Sequence, residues 1–384
     1  MSALSSAHRH TRGVDVEPSI VDMLDGALAQ REKPAYSSVS EAELEPRVIA
    51  FLENQGVKSP KIVGLKRMGG GASKEQFVFE LQCDGADPQK CVLRLDPLES
   101  AVVSDRRKEF SVMQRMLNVL PVPPVLWADF DGEQLGRPAL ITGFIGGITK
   151  PATDSGNVSG LGTLMPEAYR EPLSKQFMKY LEAMHAVPVD FDTEVFQVPN
   201  QDPFQAARWQ VNWWTSAWRD DASEGSPLMG LAERWMRDNL PETGDLVVVH
   251  ADYRTGNYLF DDASKEITTI LDWELAHIGD FHEDLAWIIC HKGVTDEGQV
   301  MASGLMTPEE LCQRYTEMTG REVNQKALHF YRVLSVYKCV VICLATSAQT
   351  AGRKHSHQDI LLSWLTSAGH AFSAELAALL EESL

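Results

Sequence analysis

Two short apolar runs, each ending in a polar loop, constrain this chain more than any other feature. Val247-Val248-Val249 leads straight into His250-Ala251-Asp252-Tyr253-Arg254-Thr255-Gly256-Asn257, and Ile270-Leu271 leads into Asp272-Trp273-Glu274, with Asp272 fifteen residues after Asn257. Runs this short and apolar, bounded by polar turns, read as strands, and a strand must find a partner. A strand over 268–271 lying beside the first loop sets Asp252, Asn257 and Asp272 at one place. The result is a β island over 246–272 in a half of the chain that is otherwise helical.

The rest of the chain divides around that island. Helical spacing of apolar residues appears over 171–187, 203–220 and 228–240, and in two long closing segments, 325–350 and 356–380. Thr307-Pro308-Glu309-Glu310 is a capping box with proline in the first turn, opening a helix that stops near Gly320. Upstream, Ser40-Glu41-Ala42-Glu43 is another capping box, and its helix runs to about Gln55 with Gly56 behind it. Between Ile62 and Leu95 the pattern is strand, glycine loop, strand, turn, strand. A helix over 105–120, capped by Ser104, and two more strands, 125–129 and 138–145, follow, and Gly143, Gly146 and Gly147 mark a hinge. The expectation is an α+β chain of two lobes: an N-terminal arm over 1–40, a small β-rich lobe over 41–145 and a large, mainly helical lobe over 146–384. The arm, with one weakly amphipathic stretch at Ile20, Met23, Leu24 and Leu28, is expected to be loosely attached.

Composition removes several classes of partner. Lys and Arg number 35 against 54 Asp and Glu, a net charge of −19 that repels nucleic-acid backbones and acidic membrane surfaces alike, so neither is an expected partner. With 44% hydrophobic residues in 384, the chain can bury a large core without disulfides or structural metal. Cys83, Cys91, Cys290, Cys312, Cys339 and Cys343 show no zinc spacing and read as reduced core thiols. Residues 1–30 contain no unbroken apolar segment of the secretory kind, and the longest apolar stretch, 340–345, is too short for a bilayer, so a cytoplasmic protein is expected.

The residue types on the two loops suit phosphoryl transfer. That reaction asks for a carboxylate near an acceptor hydroxyl and oxygen ligands for the magnesium that bridges the phosphates. Asp252, Asn257 and Asp272 supply those atoms, although the same residues also serve as turn formers, and His250 as an ordinary core histidine. Met68-Gly69-Gly70-Gly71-Ala72-Ser73 lies between two strands, where glycines let backbone amides approach phosphate oxygens or simply turn a hairpin. Arg94 in the next strand and Glu109 in the next helix stand in the order of a phosphate-gripping cation and its carboxylate partner, or of two surface charges. Asp280 and Asp284, at the start of the helix after the second loop, read as structural supports for the first. Trp209, Trp213, Trp214, Trp218 and Trp235 form an aromatic stripe that is either core or acceptor pocket, with Arg208 and Arg219 beside it.

Together these positions resemble the aminoglycoside phosphotransferase-like kinase family, which includes choline kinase-like and acyl-CoA dehydrogenase-associated domains. The resemblance spans about 45–350 and is most specific over 249–286, through V-V-H-A-D-Y-R-T-G-N-Y-L-F-D and I-L-D-W-E-L-A-H-I-G-D-F-H-E-D-L-A. It implies a two-lobed protein kinase-like fold that moves the γ-phosphate of ATP or GTP, with magnesium, to a hydroxyl of a small molecule. By resemblance Asp252 is the catalytic base, and Asn257 and Asp272 are the metal ligands. Arg94, oriented by Glu109, and the loop of Gly69, Gly70, Gly71 and Ser73 hold phosphates, and Thr142, Gly143 and Ile145 form the hinge that reads the adenine. Arg94 stands where the family usually has lysine, and Lys74, where asparagine is common, becomes a further phosphate contact. The alternative is a nucleotide-binding regulatory module of the same fold without turnover. Only 273–279 separates Asp272 from Asp280, too little for a peptide platform. A hydroxylated acyl compound is the first acceptor expected, and a cationic amino sugar or amino alcohol the second.

Overall fold

The computed structural model describes residues 15–34, 38–69, 73–151, 162–352 and 359–382. The small lobe is a five-stranded antiparallel sheet of β1 (Lys61–Arg67), β2 (Glu75–Gln82), β3 (Gln89–Leu95), β4 (Val125–Asp129) and β5 (Ala139–Gly143), in the order β1-β2-β3-β5-β4. Alternation along β2 turns Phe77, Phe79 and Leu81 to one face, where Leu44, Val48, Phe51 and Leu52 of a helix (Glu41–Asn54) cover them. That helix starts at the expected capping box of Ser40 and Glu43.

The next helix (Arg106–Met116) is capped by Asp105 rather than by Ser104, because the Asp105 side chain accepts from the Arg107 amide, and it ends four residues earlier than its apolar spacing suggests. Its Val112, Met113 and Met116 join the core of the large lobe, while Arg106, Lys108 and Glu109 are buried nearer its N-terminus. One helix therefore brings charged groups into the space between the lobes.

The chain leaves β5 at Gly143 and reaches the large lobe at Ile148, which bridges Phe260. Gly147 has φ +149°, and a Cβ there would lie 2.8 Å from both the Leu259 Cβ and the Thr268 Oγ1, so the crossing needs glycine.

The described part of the expected loose arm, residues 15–34, is instead docked. Residues 18–31 form a helix (Pro18–Arg31) whose Ile20, Val21 and Leu24 enter the large core. Glu17 forms a buried ion pair with Lys108, and Asp15 accepts from Arg208 Nε and Trp209 Nε1, both at 2.8 Å. The amphipathic spacing marked the apolar face, but the partner surface was not visible in a single sequence.

Helices Glu167–His185, Gln205–Asp221, Pro227–Asp238, His282–Cys290 and Pro308–Thr319 build the large lobe with the closing segments. The expected single helix over 325–350 is α-helical at Gln325–Val340, loosens into π turns at Val341–Thr346 and recovers at Ser347–Gly352. Gln325–Gly352 has the length and hydropathy of a membrane span, but 78% of its most apolar window is buried inside the protein, which makes it a core element here. The six cysteines are free thiols; burial pushes Cys339 up and Cys343 up to about 12, so these thiols stay protonated.

Candidate active site

Four short strands fix the site. Strand β6 (Leu246–Val249) pairs with β9 (His277–Asp280), and β7 (Tyr258–Phe260) with β8 (Ile267–Ile270), all antiparallel. The loop from β6 to β7 and the loop from β8 to β9 therefore leave the two ladders side by side. They are tied directly: Leu271 N donates to Asn257 O at 2.8 Å, and His250 Nε2 bonds Leu271 O at 2.9 Å. His250 is fully buried, which lowers its pKa, so the ring is neutral, donates from Nε2 and accepts the Asp252 amide at Nδ1 (3.2 Å). It is a positioning element of the loop.

Asp284 holds the first loop from behind. Its carboxylate accepts the amides of His250 and Ala251, each at 2.9 Å, and His185 Nε2 at 3.1 Å. Burial opposes the charge, but these hydrogen bonds outweigh it and keep Asp284 below the ordinary carboxylate range. The expected support role thus acts on the distant loop, not on the amides of its own helix. Asp280 does serve its own helix, accepting the His282 amide at 2.9 Å.

Asp252 faces the cleft with its side chain 19% exposed. Burial pushes its pKa up, yet Arg254, His291 and Lys338 pull it down further, and the group is ionised. Arg254 Nε and Trp287 Nε1 both donate to its Oδ1, at 2.8 and 2.7 Å. Asn257 donates Nδ2 to the Asp252 carbonyl at 2.9 Å, which turns its amide oxygen away from the loop. Asp272 stands in the left-handed region at φ +60° and takes Arg94 Nη2 on Oδ1 at 2.9 Å. Burial raises Asp272 to about 6, with the neighbouring Glu274 and Asp252 charges adding to the rise against Arg94.

Arg94 spans both sides: it pairs with Glu109, which is fully buried, and with Asp272. Arg106 shares Glu109 and reaches Asp96 at 2.8 Å. Lys74 is 2% exposed and pairs with Asp96 (2.8 Å) and Glu274 (3.2 Å) while bonding Ser104. Its ammonium is held by this buried chain of alternating charges. Of the glycine loop, Gly69 and Ser73 are described and lie between β1 and β2, whereas Gly70 and Gly71 lie outside the described residues. At the hinge Thr142 is buried in β5, and the Gly143 and Phe144 amides donate to the Pro124 and Lys90 carbonyls at 2.9 and 3.0 Å. Ile145, next in the chain, is half-buried.

The donor set fits magnesium. A carboxylate and an amide oxygen are hard ligands, and the burial that raises Asp272, with the Glu274 and Asp252 charges adding to it, is what a cation would offset. No cluster of three or more His, Cys, Asp or Glu able to hold a metal occurs among the described residues. Were Asn257 and Asp272 to hold such an ion, phosphate oxygens and water would fill the remaining positions, as in common magnesium sites.

The tryptophan stripe is mainly core: Trp209, Trp213 and Trp214 are buried, and the last two stack at 4.9 Å. Arg208 pairs with Asp15 and Asp202, and Arg219 with Glu233. Trp287, Arg254 and Lys338 had no sequence-derived role. Only Arg254 carried a signal, its place two residues after Asp252.

Residues 64–307 match the family model described as the phosphotransferase enzyme family. The chain belongs to this family. Among known proteins it is similar to mouse acyl-CoA dehydrogenase family member 10, 27% identical over 300 residues that make up 75% of this chain and 26% of the mouse protein. It is also similar to human acyl-CoA dehydrogenase family member 11, 26% identical over 161 residues, 40% of this chain and 21% of the human one. The chain thus spans about a quarter of the length of these relatives. Its fold is that of the thermostable aminoglycoside phosphotransferase APH(4)-Ia, at TM-score 0.59 and 16% identity for the apo form, covering 88% of this chain and 99% of the other. A ternary complex of a further variant of that enzyme with ADP and hygromycin B superposes at TM-score 0.56 and 16% identity, over 87% and 98% of the two chains. The two-lobed kinase-like architecture expected from the motifs is therefore the observed one.

Proposed function

We propose that this phosphotransferase-family chain moves the γ-phosphate of ATP, or GTP, to a hydroxyl of a small molecule. The observation that carries the proposal is the convergence of Asp252, Asn257 and Asp272 on two cross-bonded loops with Arg94 beside them. Asp252, ionised and held by two donors, orients the acceptor hydroxyl and takes its proton as the hydroxyl oxygen bonds the γ-phosphorus and the bond to the β–γ bridging oxygen breaks, releasing the nucleoside diphosphate. Its low pKa makes orientation the larger part of that role. Asn257 and Asp272 hold magnesium, which when bound neutralises charge on the phosphates. Arg94, braced by Glu109, grips phosphate from the small lobe, with backbone amides of the glycine-rich sequence over 69–73 as further phosphate contacts. Ile145, following the two occupied amides of the hinge, meets the base.

A second reading has one observation in its favour. Arg94 rests on Asp272 Oδ1, so a nucleotide must draw the guanidinium away before both carboxylate oxygens are open to metal. A module that binds nucleotide and never completes this exchange would not turn over. The acceptor is proposed to be small because only a 3₁₀ turn (Trp273–Leu275) and β9 lie between Asp272 and the following helix, leaving no platform for a peptide. A hydroxylated acyl compound is the first choice, in line with the names of the relatives, and an amino sugar or amino alcohol the second. The test is ADP release with Mg-ATP against a panel of hydroxy-acyl compounds, aminoglycosides and choline, with phosphate transfer followed into small-molecule and protein fractions of a lysate. Acceptor-dependent release with label in the small-molecule fraction supports the proposal. Magnesium-dependent nucleotide binding without transfer to any acceptor favours the module.

A further inference from the structure

Lys338 lies beyond the family-matched span, on the helix Gln325–Val340, and is only 3% exposed. Its ammonium makes no ion pair with a carboxylate among the described residues, an expensive state unless other groups hold the charge. Here Nζ donates to the Ala251 carbonyl at 2.7 Å, and it stands 4.1 Å from the centre of the Trp287 ring and 5.2 Å from that of Trp214. Ala251 immediately precedes Asp252 and has φ +63°, a left-handed conformation that is unfavourable for a residue with a Cβ. Such a conformation persists only where neighbours hold it. Asp284 holds the Ala251 amide, and Lys338 holds its carbonyl. The ring that Lys338 faces donates its Nε1 hydrogen to Asp252 Oδ1, the oxygen Arg254 also uses, whereas Oδ2 accepts no hydrogen bond from the described residues.

We infer that Lys338 and Trp287 are positioning residues for Asp252: the ammonium pins the carbonyl before it and the face of the ring, and the ring N–H fixes Oδ1, so that Oδ2 alone is presented to the acceptor hydroxyl. The inference rests on the proposed role of Asp252 and adds residues that act through it.

Trp287→Phe deletes the N–H and keeps a ring face for the ammonium, while Lys338→Met deletes the ammonium and keeps the chain length. In ADP release from Mg-ATP each variant should lose up to about 10²-fold in kcat, with KM for Mg-ATP changed less than about twofold, because the acceptor end alone is misplaced. The double variant should fall well short of the product of the two losses, since both act through one carboxylate. An unchanged kcat in Lys338→Met, or losses that multiply, overturns the inference. Melting curves check folding, and if Trp287→Phe does not fold, Lys338→Met carries the test. A second readout needs no turnover: hydrogen exchange at the nitrogen-labelled Trp287 indole should quicken at least about tenfold in Asp252→Ala and stay slow in Asp252→Asn, which keeps an acceptor oxygen. Exchange indifferent to Asp252→Ala overturns the contact. If no acceptor is ever phosphorylated, the proposed function fails while indole exchange still decides whether Trp287 holds Asp252.

Discussion

Replacing Glu109 by glutamine keeps the shape of the buried network between the lobes and removes its central charge. Glu109 has no exposed side-chain surface, Arg106 1% and Arg94 10%, so water cannot replace what the carboxylate supplies. Removing one partner of a buried ion pair costs about 3–5 kcal/mol, because the other charge is left uncompensated. Two features place this variant at the low end. Glutamine retains an oxygen for one guanidinium, and Arg106 keeps Asp96 at 2.8 Å. About 3 kcal/mol at a urea slope of roughly 3 kcal/mol/M gives a midpoint lowered by about 1 M. The functional effect follows from geometry. Arg94 loses Glu109 and keeps Asp272, so the guanidinium settles on the proposed metal ligand, and KM for Mg-ATP should rise about tenfold. Urea titration and a nucleotide saturation curve measure the two effects separately. A midpoint within about 0.2 M of wild type would refute the energetic argument, since surface pairs are worth that little. A lowered midpoint with unchanged KM would leave Glu109 a purely structural group.

Asp252→Asn should cut kcat by about 10²-fold or more and leave nucleotide binding nearly intact, because the proposed metal ligands and phosphate grip are untouched; calorimetric titration with Mg-ATP checks the second half. Asp272→Ala should weaken magnesium-dependent nucleotide binding together with turnover, and an unchanged metal titration would remove Asp272 from the ligand set. The N-terminal helix supplies a pH test. Burial pushes Asp221, the partner of Arg31, up to about 6 from 3.8, so the folded state binds the extra proton. That contribution is fully present below about pH 4 and is lost as pH rises through 6, amounting to roughly 3 kcal/mol over the window. Wild type should therefore gain stability relative to Asp221→Asn on going from pH 7 to pH 4, and a constant difference in urea midpoint would show that Asp221 is solvated.

Local chemistry made much of this molecule legible in its sequence. Capping boxes at Ser40 and Thr307 start helices where they should, because the side chains that satisfy the first amides are neighbours in the chain. Strand alternation in β2 and the two polar loops after β6 and β8 follow for the same reason: period, turn and residue type are all local. The proposed site residues were readable because their loops are short and their spacing carries the chemistry. What the sequence alone left undecided depends on partners remote in the chain. The partners of Lys74 were open until Asp96 and Glu274 surrounded its ammonium. The tryptophan stripe was core or pocket until helix packing buried Trp213 and Trp214. The first helix had an apolar face but no surface to cover until Arg208 and Trp209 met Asp15 and Lys108 met Glu17. Lys338, eighty-seven residues from the carbonyl it holds, carries no pattern that spacing could reveal. Burial and charge pairing are properties of the assembled interior, and only tertiary structure decides which side chains share it.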